Sequence, residues 1–239
     1  MKTRLILLSA LVLGSAGCAN GNYSEWFNVG SQVASDMGYG EQADVAGGIK
    51  QALELGSERA AATLSADGGY SRAGYPISLP QQLQPVADTL RKVGMGSYVD
   101  KVEAAMNDGA EKAAAESVPV VKQAISEMTV TDALGIVNGG QTAATDYFRG
   151  KTETSLRQRY QPIIRENLQK TGFYDQYQAM LGVYNALPLT SKPNLDVEEV
   201  VTEQALDGLY GRIAAEEKLI RQDPVGRGSA LLGRIFSGQ

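Results

Sequence analysis

The stretch DVEEVVTEQALDGLYGRIAAEEKLIRQDP, residues 196–224, decides the fold. Asp196 followed three residues later by Glu199 is typical of a helix start, because the two side chains can satisfy each other's backbone N–H groups. The apolar residues that follow recur with a helical period, which predicts a helix over residues 197–221. Asp223-Pro224 is typical of the first turn of a further helix. That last helix would carry four large apolar residues, Leu231, Leu232, Ile235 and Phe236.

The same helical period extends through the rest of the chain, with no sustained two-residue alternation. It predicts a first helix capped by Ser24 and carrying Trp26, Phe27 and Val33, and Thr131 could cap a short turn that Gly139 ends in a left-handed conformation. Further helices are predicted over residues 41–65, 81–93, 98–116, 119–127, 142–150, 154–170 and 174–186. The fold class is therefore all-α, a single compact multi-helix domain over residues 25–239 with no sheet.

A Gly- and Pro-rich stretch from Asp67 to Pro80 is the longest irregular piece of this pattern. We expect it to cross the helical body as a loop.

The first residues are typical of an export signal. Lys2 and Arg4 give a positive start, and the apolar run over residues 5–13 is too short to span a bilayer. Ser15-Ala16-Gly17-Cys18 resembles the lipobox of bacterial lipoproteins, in which the cysteine thiol is lipidated before cleavage makes it the first mature residue. We therefore predict a signal peptide over residues 1–17.

Cys18 would carry acyl chains such as palmitate, followed by a polar tether to residue 24. Ala19 stands where an aspartate would resemble an inner-membrane retention signal, which favours the outer membrane, on its periplasmic side. The alternative is plain secretion after Ala19, which would give a soluble periplasmic protein.

Composition excludes several chemistries. The chain has no histidine and one cysteine, so Ser-His and Cys-His nucleophile pairs cannot form, and we predict no metal site, no cofactor and no catalytic residue. Without Lys2 and Arg4, 20 basic residues remain against 27 acidic ones, a net charge of −7. Nucleic acid is therefore not expected as a partner, and membrane attachment should come from the acyl chains.

Glu217 is a carboxylate on the apolar face of the predicted 197–221 helix. A helical wheel places it in the stripe of Leu206, Leu209, Tyr210 and Ile213, so it should be paired or at a cavity mouth. Arg221, four residues later, is the expected partner. The favoured interpretation is a structural ion pair, and the alternative is an acid that faces a ligand.

A polar ridge runs along the predicted 98–116 helix beside its apolar stripe. It comprises Asp100, Glu103, Asn107 and Glu111. We interpret the ridge as a solvated helix face, with a cleft lining as the alternative.

A third polar group follows Gly139-Gly140, where a helix N-terminus could form an anion site. Thr145, Asp146 and Arg149 share one face there, together with Thr142. A simple helix cap and a surface ion pair between Asp146 and Arg149 are the alternatives.

Several motifs resemble the bacterial family known as domain of unknown function 4197. They include Pro76-Ile77-Ser78-Leu79-Pro80, the Glu103 to Asn107 ridge, Ala205-Leu206-x-Gly208-Leu209 and Glu216-Glu217-x-x-Ile220-Arg221-x-Asp223-Pro224, and the resemblance covers about residues 43–239. It implies an exported, often lipidated helical protein and brings no activity or ligand with it. The chain departs from the family pattern at Gly109, where alanine is usual.

These observations predict a membrane-anchored envelope lipoprotein. Its helices would form a non-enzymatic binding or structural module for an envelope protein or a small or lipid ligand. The alternative is a hydrolase of envelope glycans that uses Glu217 with Glu103 or Glu111 as acid and base.

Overall fold

A computed structural model describes residues 39–185 and 196–227, and every regular element in these two ranges is helical. The predicted all-α fold is confirmed. The α-helices are α1 (Tyr39–Ser65), α2 (Gly69–Arg72), α3 (Gln84–Lys92), α4 (Gly96–Ala114), α5 (Ser117–Glu127), α6 (Val130–Asn138), α7 (Ala143–Lys170), α8 (Phe173–Asn185), α9 (Val197–Gln222) and α10 (Pro224–Arg227), with a 3₁₀ turn over Gln81–Leu83.

Four long helices, α1, α4, α7 and α9, organise the core. Helix α7 packs along α9 on one side and along α4 on another, while α1 packs against α9 and α5. Large side chains such as Met106, Phe148, Leu156 and Leu209 are fully buried between these helices. Burial of apolar surface of this kind is the main stabilising contribution to the fold.

Helix α7 is continuous where the sequence predicted two helices over residues 142–150 and 154–170. Pro162 lies inside it and removes one backbone N–H donor. Tyr160 and Ile164, on either side of the proline, are completely buried. Packing of the flanking turns therefore overrides the local penalty of the proline.

The two ends of α6 correct two further predictions. Thr129, not Thr131, caps α6, because its hydroxyl accepts from the Asp132 N–H while the Asp132 carboxylate accepts from the Thr129 N–H. Gly139 has φ −82°, so it does not end the helix in a left-handed conformation. Glycine is needed there for space, since a Cβ would lie 2.5 Å from the Ala143 Cβ.

The predicted irregular crossing contains the four-residue helix α2 and continues from Tyr75 with no helix or turn, ending in the extended backbone of Pro80. We call residues 66–80 the crossing segment. Helix α9 begins as predicted, with the Asp196 carboxylate accepting from the Glu199 N–H at 3.1 Å.

The signal peptide, Cys18, the tether, the first predicted helix with its Ser24 cap, and the stripe from Leu231 to Phe236 lie outside the described residues. Within residues 39–185 and 196–227, no helix combines the length and apolarity that a bilayer crossing requires.

Candidate functional site

Glu217 lies in the core between α9 and the start of α7. Its side chain is 5% exposed, and its two oxygens accept from the backbone N–H groups of Ala144 and Thr145, each at 3.0 Å. The Thr145 hydroxyl donates to the same carboxylate at 2.8 Å. These N–H groups belong to the first turn of α7, where a negative charge is stabilised by the helix dipole.

Arg221 completes the arrangement from the next turn of α9. Its Nη2 and Nε donate to Glu217 Oε1 at 2.8 and 3.1 Å, and Nη2 also donates to the Ile136 carbonyl at 2.9 Å. We call Glu217, Arg221, Thr145 and the Ala144 N–H the carboxylate cap. Glu217 accepts from five donor atoms, which occupies the roughly four lone-pair positions of a carboxylate.

The carboxylate cap agrees with the predicted Glu217–Arg221 ion pair and identifies what fills the predicted anion site. The N-terminus of α7 does bind an anion, but the anion is a side chain of the same protein. Helix α9 thus reaches α7 and, through Arg221, the end of α6. The cap fixes three helices relative to one another.

A narrow cleft lies beside the carboxylate cap, between α1, α6 and α9. Its volume is about 40 Å³, and its walls are apolar except for Glu217 and Arg221. The apolar residues that line it are Ile49, Ala52, Leu53, Ile136, Val137, Ala144 and Ile220. A space of this size holds a few water molecules or the end of one apolar side chain.

Asp146 and Arg149 are not paired with each other. The Thr142 hydroxyl donates to Asp146 at 3.1 Å, whereas Arg149 donates to Asp207 at 2.8 Å. Arg149 also lies 4.6 Å above the Tyr210 ring, and burial raises the pKa of Tyr210 to about 12. Of the polar face predicted after Gly139-Gly140, Thr145 is the residue that contacts Glu217.

The crossing segment is held by two side-chain amides, Asn107 of α4 and Gln204 of α9. Asn107 accepts from the Ile77 N–H at 3.0 Å and donates to the Ile77 carbonyl at 2.7 Å. Gln204 does the same to Ser78, at 3.0 and 2.9 Å. We call this pair the amide clamp. It imitates a β-ladder, because each amide offers one donor and one acceptor to extended backbone.

Glu103 and Glu111 bind further backbone N–H groups of the crossing segment. Glu103 accepts from the Leu79 N–H at 3.2 Å and from Arg91 at 3.2 Å. Glu111, 6% exposed, accepts from the Gly68 N–H at 3.1 Å. Burial raises the pKa of the Glu111 carboxyl, and the nearby Asp67 and Asp108 charges raise it further.

The interpretation of the ridge as a solvated helix face is therefore wrong at three of its four positions. Asp100 is exposed, 3.7 Å from Arg91, whereas Glu103, Asn107 and Glu111 bind backbone groups of the crossing segment. The physical reason is that a partly buried segment outside any helix needs partners for its N–H and C=O groups. The ridge provides them.

Two tyrosines of the crossing segment pack against two glycines of α9, of which Gly208 belongs to the family motif. Tyr70 donates to the Ala205 carbonyl at 3.0 Å, and a Cβ at Gly208 would lie 2.8 Å from Tyr70 Cε1. At Gly211 the space is smaller still, because an added Cβ would lie 2.5 Å from Tyr75 Cε1. At Gly109, by contrast, an added Cβ would meet its nearest atoms at 3.5–3.8 Å, so the alanine usual in the family would fit.

Sequence reasoning missed Gln204 and Tyr70. Gln204 lies 126 residues from Ser78, and no local pattern connects them. In the described part of the chain, no group of three or more His, Cys, Asp or Glu side chains is close enough to hold a metal ion.

Comparison with known families matches residues 40–237 to the family described as protein of unknown function (DUF4197). The match spans well over half of the chain, so the chain belongs to this family and the resemblance is confirmed. Neither the curated proteins nor the solved structures contain a match.

Proposed function

We propose that this member of the DUF4197 family is a non-enzymatic envelope lipoprotein whose helical body binds another envelope protein. One observation carries the non-enzymatic part. The carboxylate with the strongest claim to a site, Glu217, already accepts from five donor atoms of its own chain. A general acid or base needs a free position facing the proton that it transfers.

The alternative, a glycan hydrolase using Glu217 with Glu103 or Glu111, is disfavoured by the same contacts. Glycosidases of this type place two carboxyl groups about 5–9.5 Å apart, facing one cleft. Here Glu217 is bound to the start of α7, while Glu103 and Glu111 are bound to the crossing segment. Their backbone partners belong to different parts of the fold.

The size of the cleft favours a protein partner over a small or lipid ligand. Ligand pockets usually enclose about 300–1,000 Å³, whereas the cleft beside Glu217 has about 40 Å³. A protein partner instead recognises an outer surface, and the net charge of −7 on the mature chain favours one that is basic rather than nucleic acid.

The membrane anchor is supported by Ser15-Ala16-Gly17-Cys18. Acyl chains on Cys18 would hold the body at the periplasmic side of the outer membrane, since two or more chains anchor stably where one does not. Anionic head groups would repel the negative body, so the tether rather than the surface would supply the attachment.

Cys18→Ala tests the anchor. The wild-type protein should sediment with membranes, and the variant should move to the soluble periplasmic fraction. Asn20→Ala, which leaves the lipobox intact, is the matched control and should stay with the membranes. Mass spectrometry of all three should find added lipid mass on Cys18 only in the wild type and the control.

Two results would contradict the proposal. A wild-type chain that begins after Cys18, or carries no lipid mass, would remove the anchor. A small or lipid molecule retained by the native protein at about one per chain would replace the protein partner with a ligand.

A further inference from the structure

The cleft beside the carboxylate cap is an apolar surface with an open side. Ile49 and Leu53 of α1 form its floor and are buried, whereas Val137 of α6 and Ile220 of α9 are only half-buried at its edge. The two polar lining groups, Glu217 and Arg221, satisfy each other. The cleft therefore offers an occupant apolar contact and little else.

The shape of the cleft selects the end of an apolar side chain. Its volume of about 40 Å³ is too small for a free ligand, but a row of apolar side chains on a chain segment could insert one member and lay the others along the edge.

The chain itself carries such a row directly after the described residues. Residues 228–239 contain four large apolar residues and one charge, Arg234. Leu231, Leu232, Ile235 and Phe236 are spaced to share one helical face. A face of this kind is stabilised only by burial against another element.

The cleft lies within reach of this segment. Ile220, on its edge, is followed by the end of α9 at Gln222, and Asp223 then caps α10 by accepting from the Gly226 N–H at 2.8 Å. Pro224 is buried. From the end of α10 at Arg227, four residues reach Leu231, a span of about 6 Å if helical and at most about 14 Å if extended.

We propose that the cleft between α1, α6 and α9 binds the chain's own C-terminal segment, residues 228–239, through the face of Leu231, Leu232, Ile235 and Phe236. In this arrangement the apolar face of the segment would contact the half-buried Val137 and Ile220. A partner protein then meets the body elsewhere.

Disulfide trapping tests this contact in the full mature chain. Cys18→Ala removes the only cysteine, and Val137→Cys is then combined with Leu232→Cys. Mild oxidation should give a disulfide within one chain, at least tenfold faster than for the control pair Tyr98→Cys with Leu232→Cys. Tyr98 is exposed and lies on α4, five residues before Glu103. Glu103 binds Leu79, the neighbour of the Ser78 that Gln204 holds far from the cleft along α9.

The disulfide products show which chain segment occupies the cleft. An intramolecular disulfide on a monomer supports the proposal. Disulfides that form only between chains would assign the cleft to a second copy, and a rate equal to that of the control pair would leave the segment without a place in the cleft. Either of these two results overturns the proposal.

Thiol protection provides a second measurement without a crosslink. In a Cys18→Ala, Val137→Cys chain, the added changes Leu231→Asp and Leu232→Asp should raise the labelling rate at position 137 about tenfold. Circular dichroism establishes that both chains remain helical. An unchanged labelling rate in a folded chain would overturn the proposal.

Discussion

The carboxylate cap and the amide clamp both use α9 to hold backbone from another part of the chain, but with different chemistry. Near its C-terminal end, α9 presents a buried charge, Glu217, to the first turn of α7. Nearer its N-terminal end, it presents a neutral amide, Gln204, to the crossing segment. One helix thus fixes both a helix start and an extended loop.

The difference follows from what each piece of backbone needs. The first turn of a helix has free N–H groups and a positive dipole end, so a carboxylate satisfies it. Extended backbone presents one donor and one acceptor at each residue, so a side chain that offers both can satisfy a whole residue. Asn107 and Gln204 meet that need, whereas a carboxylate could serve only the N–H.

The largest expected effect comes from removing the charge from the carboxylate cap. Glu217→Ala should lower the free energy of unfolding by about 3–5 kcal/mol, because Arg221, the Thr145 hydroxyl and two N–H groups lose a buried partner. Chemical denaturation monitored by circular dichroism measures the change.

Lys218→Ala is the matched control, since Lys218 is the exposed next residue of the same helix. It should change stability by less than about 0.5 kcal/mol. An equal, small effect of both substitutions would mean that the buried carboxylate contributes nothing to holding α7.

The same comparison separates what sequence could predict from what it could not. Glu217 and Arg221 lie four residues apart on one helix, so the apolar stripe and the spacing identify the pair. The start of α9 could be predicted equally well, because Asp196 and Glu199 are local sequence signals. Local contacts are encoded in local patterns.

The amide clamp could not be predicted, because its contacts join distant parts of the chain. Asn107 is 30 residues from Ile77, and Gln204 is 126 residues from Ser78. Both look like ordinary polar positions beside an apolar stripe. The continuity of α7 through Pro162 was missed for a related reason, since tertiary packing of Tyr160 and Ile164 overrides the local signal.

The next expected effect concerns the amide clamp. Asn107→Ala and Gln204→Ala should each lower the free energy of unfolding by about 1–3 kcal/mol, because each leaves an N–H and a carbonyl of the crossing segment without a partner. Exposed Gln81→Ala is the control for loss of an amide alone.

The double variant distinguishes a shared clamp from two separate contacts. Ile77 and Ser78 are adjacent, so release by one amide should weaken the other, and the two effects should differ from additivity by more than about 0.5 kcal/mol. Additive losses would mean that the crossing segment is held at each residue independently, as α7 is held by Glu217.

The smallest effect is a change in pH dependence at Glu111, a carboxylate that, like Glu103, accepts from an N–H group of the crossing segment. Its carboxyl pKa is raised from 4.5, chiefly by burial and further by Asp67 and Asp108. The folded protein therefore holds this proton more tightly than the unfolded chain, so the contribution of Glu111 to stability falls as pH rises from about 4.5 through the raised pKa. Glu111→Gln keeps an acceptor for the Gly68 N–H without the charge, and should lose this part of the decrease.

Asp132 gives the opposite sign and serves as the comparison for that measurement. The N–H and hydroxyl of Thr129 lower the pKa of its carboxyl below 3.8, so its contribution is present above about pH 3.8 and is lost as pH falls through the lowered pKa. Thermal unfolding measures this for the wild type, Glu111→Gln and Asp132→Asn from about pH 3 to pH 7. The melting temperature should depend less on pH than in the wild type, above about pH 4.5 for Glu111→Gln and below about pH 3.8 for Asp132→Asn. If Glu111→Gln left the decrease above pH 4.5 intact, the raised pKa of Glu111 would not be its source. Glu111 would then hold the Gly68 N–H with no pH-dependent cost, and burial of a carboxylate beside the crossing segment would carry no penalty that the neutral amides avoid.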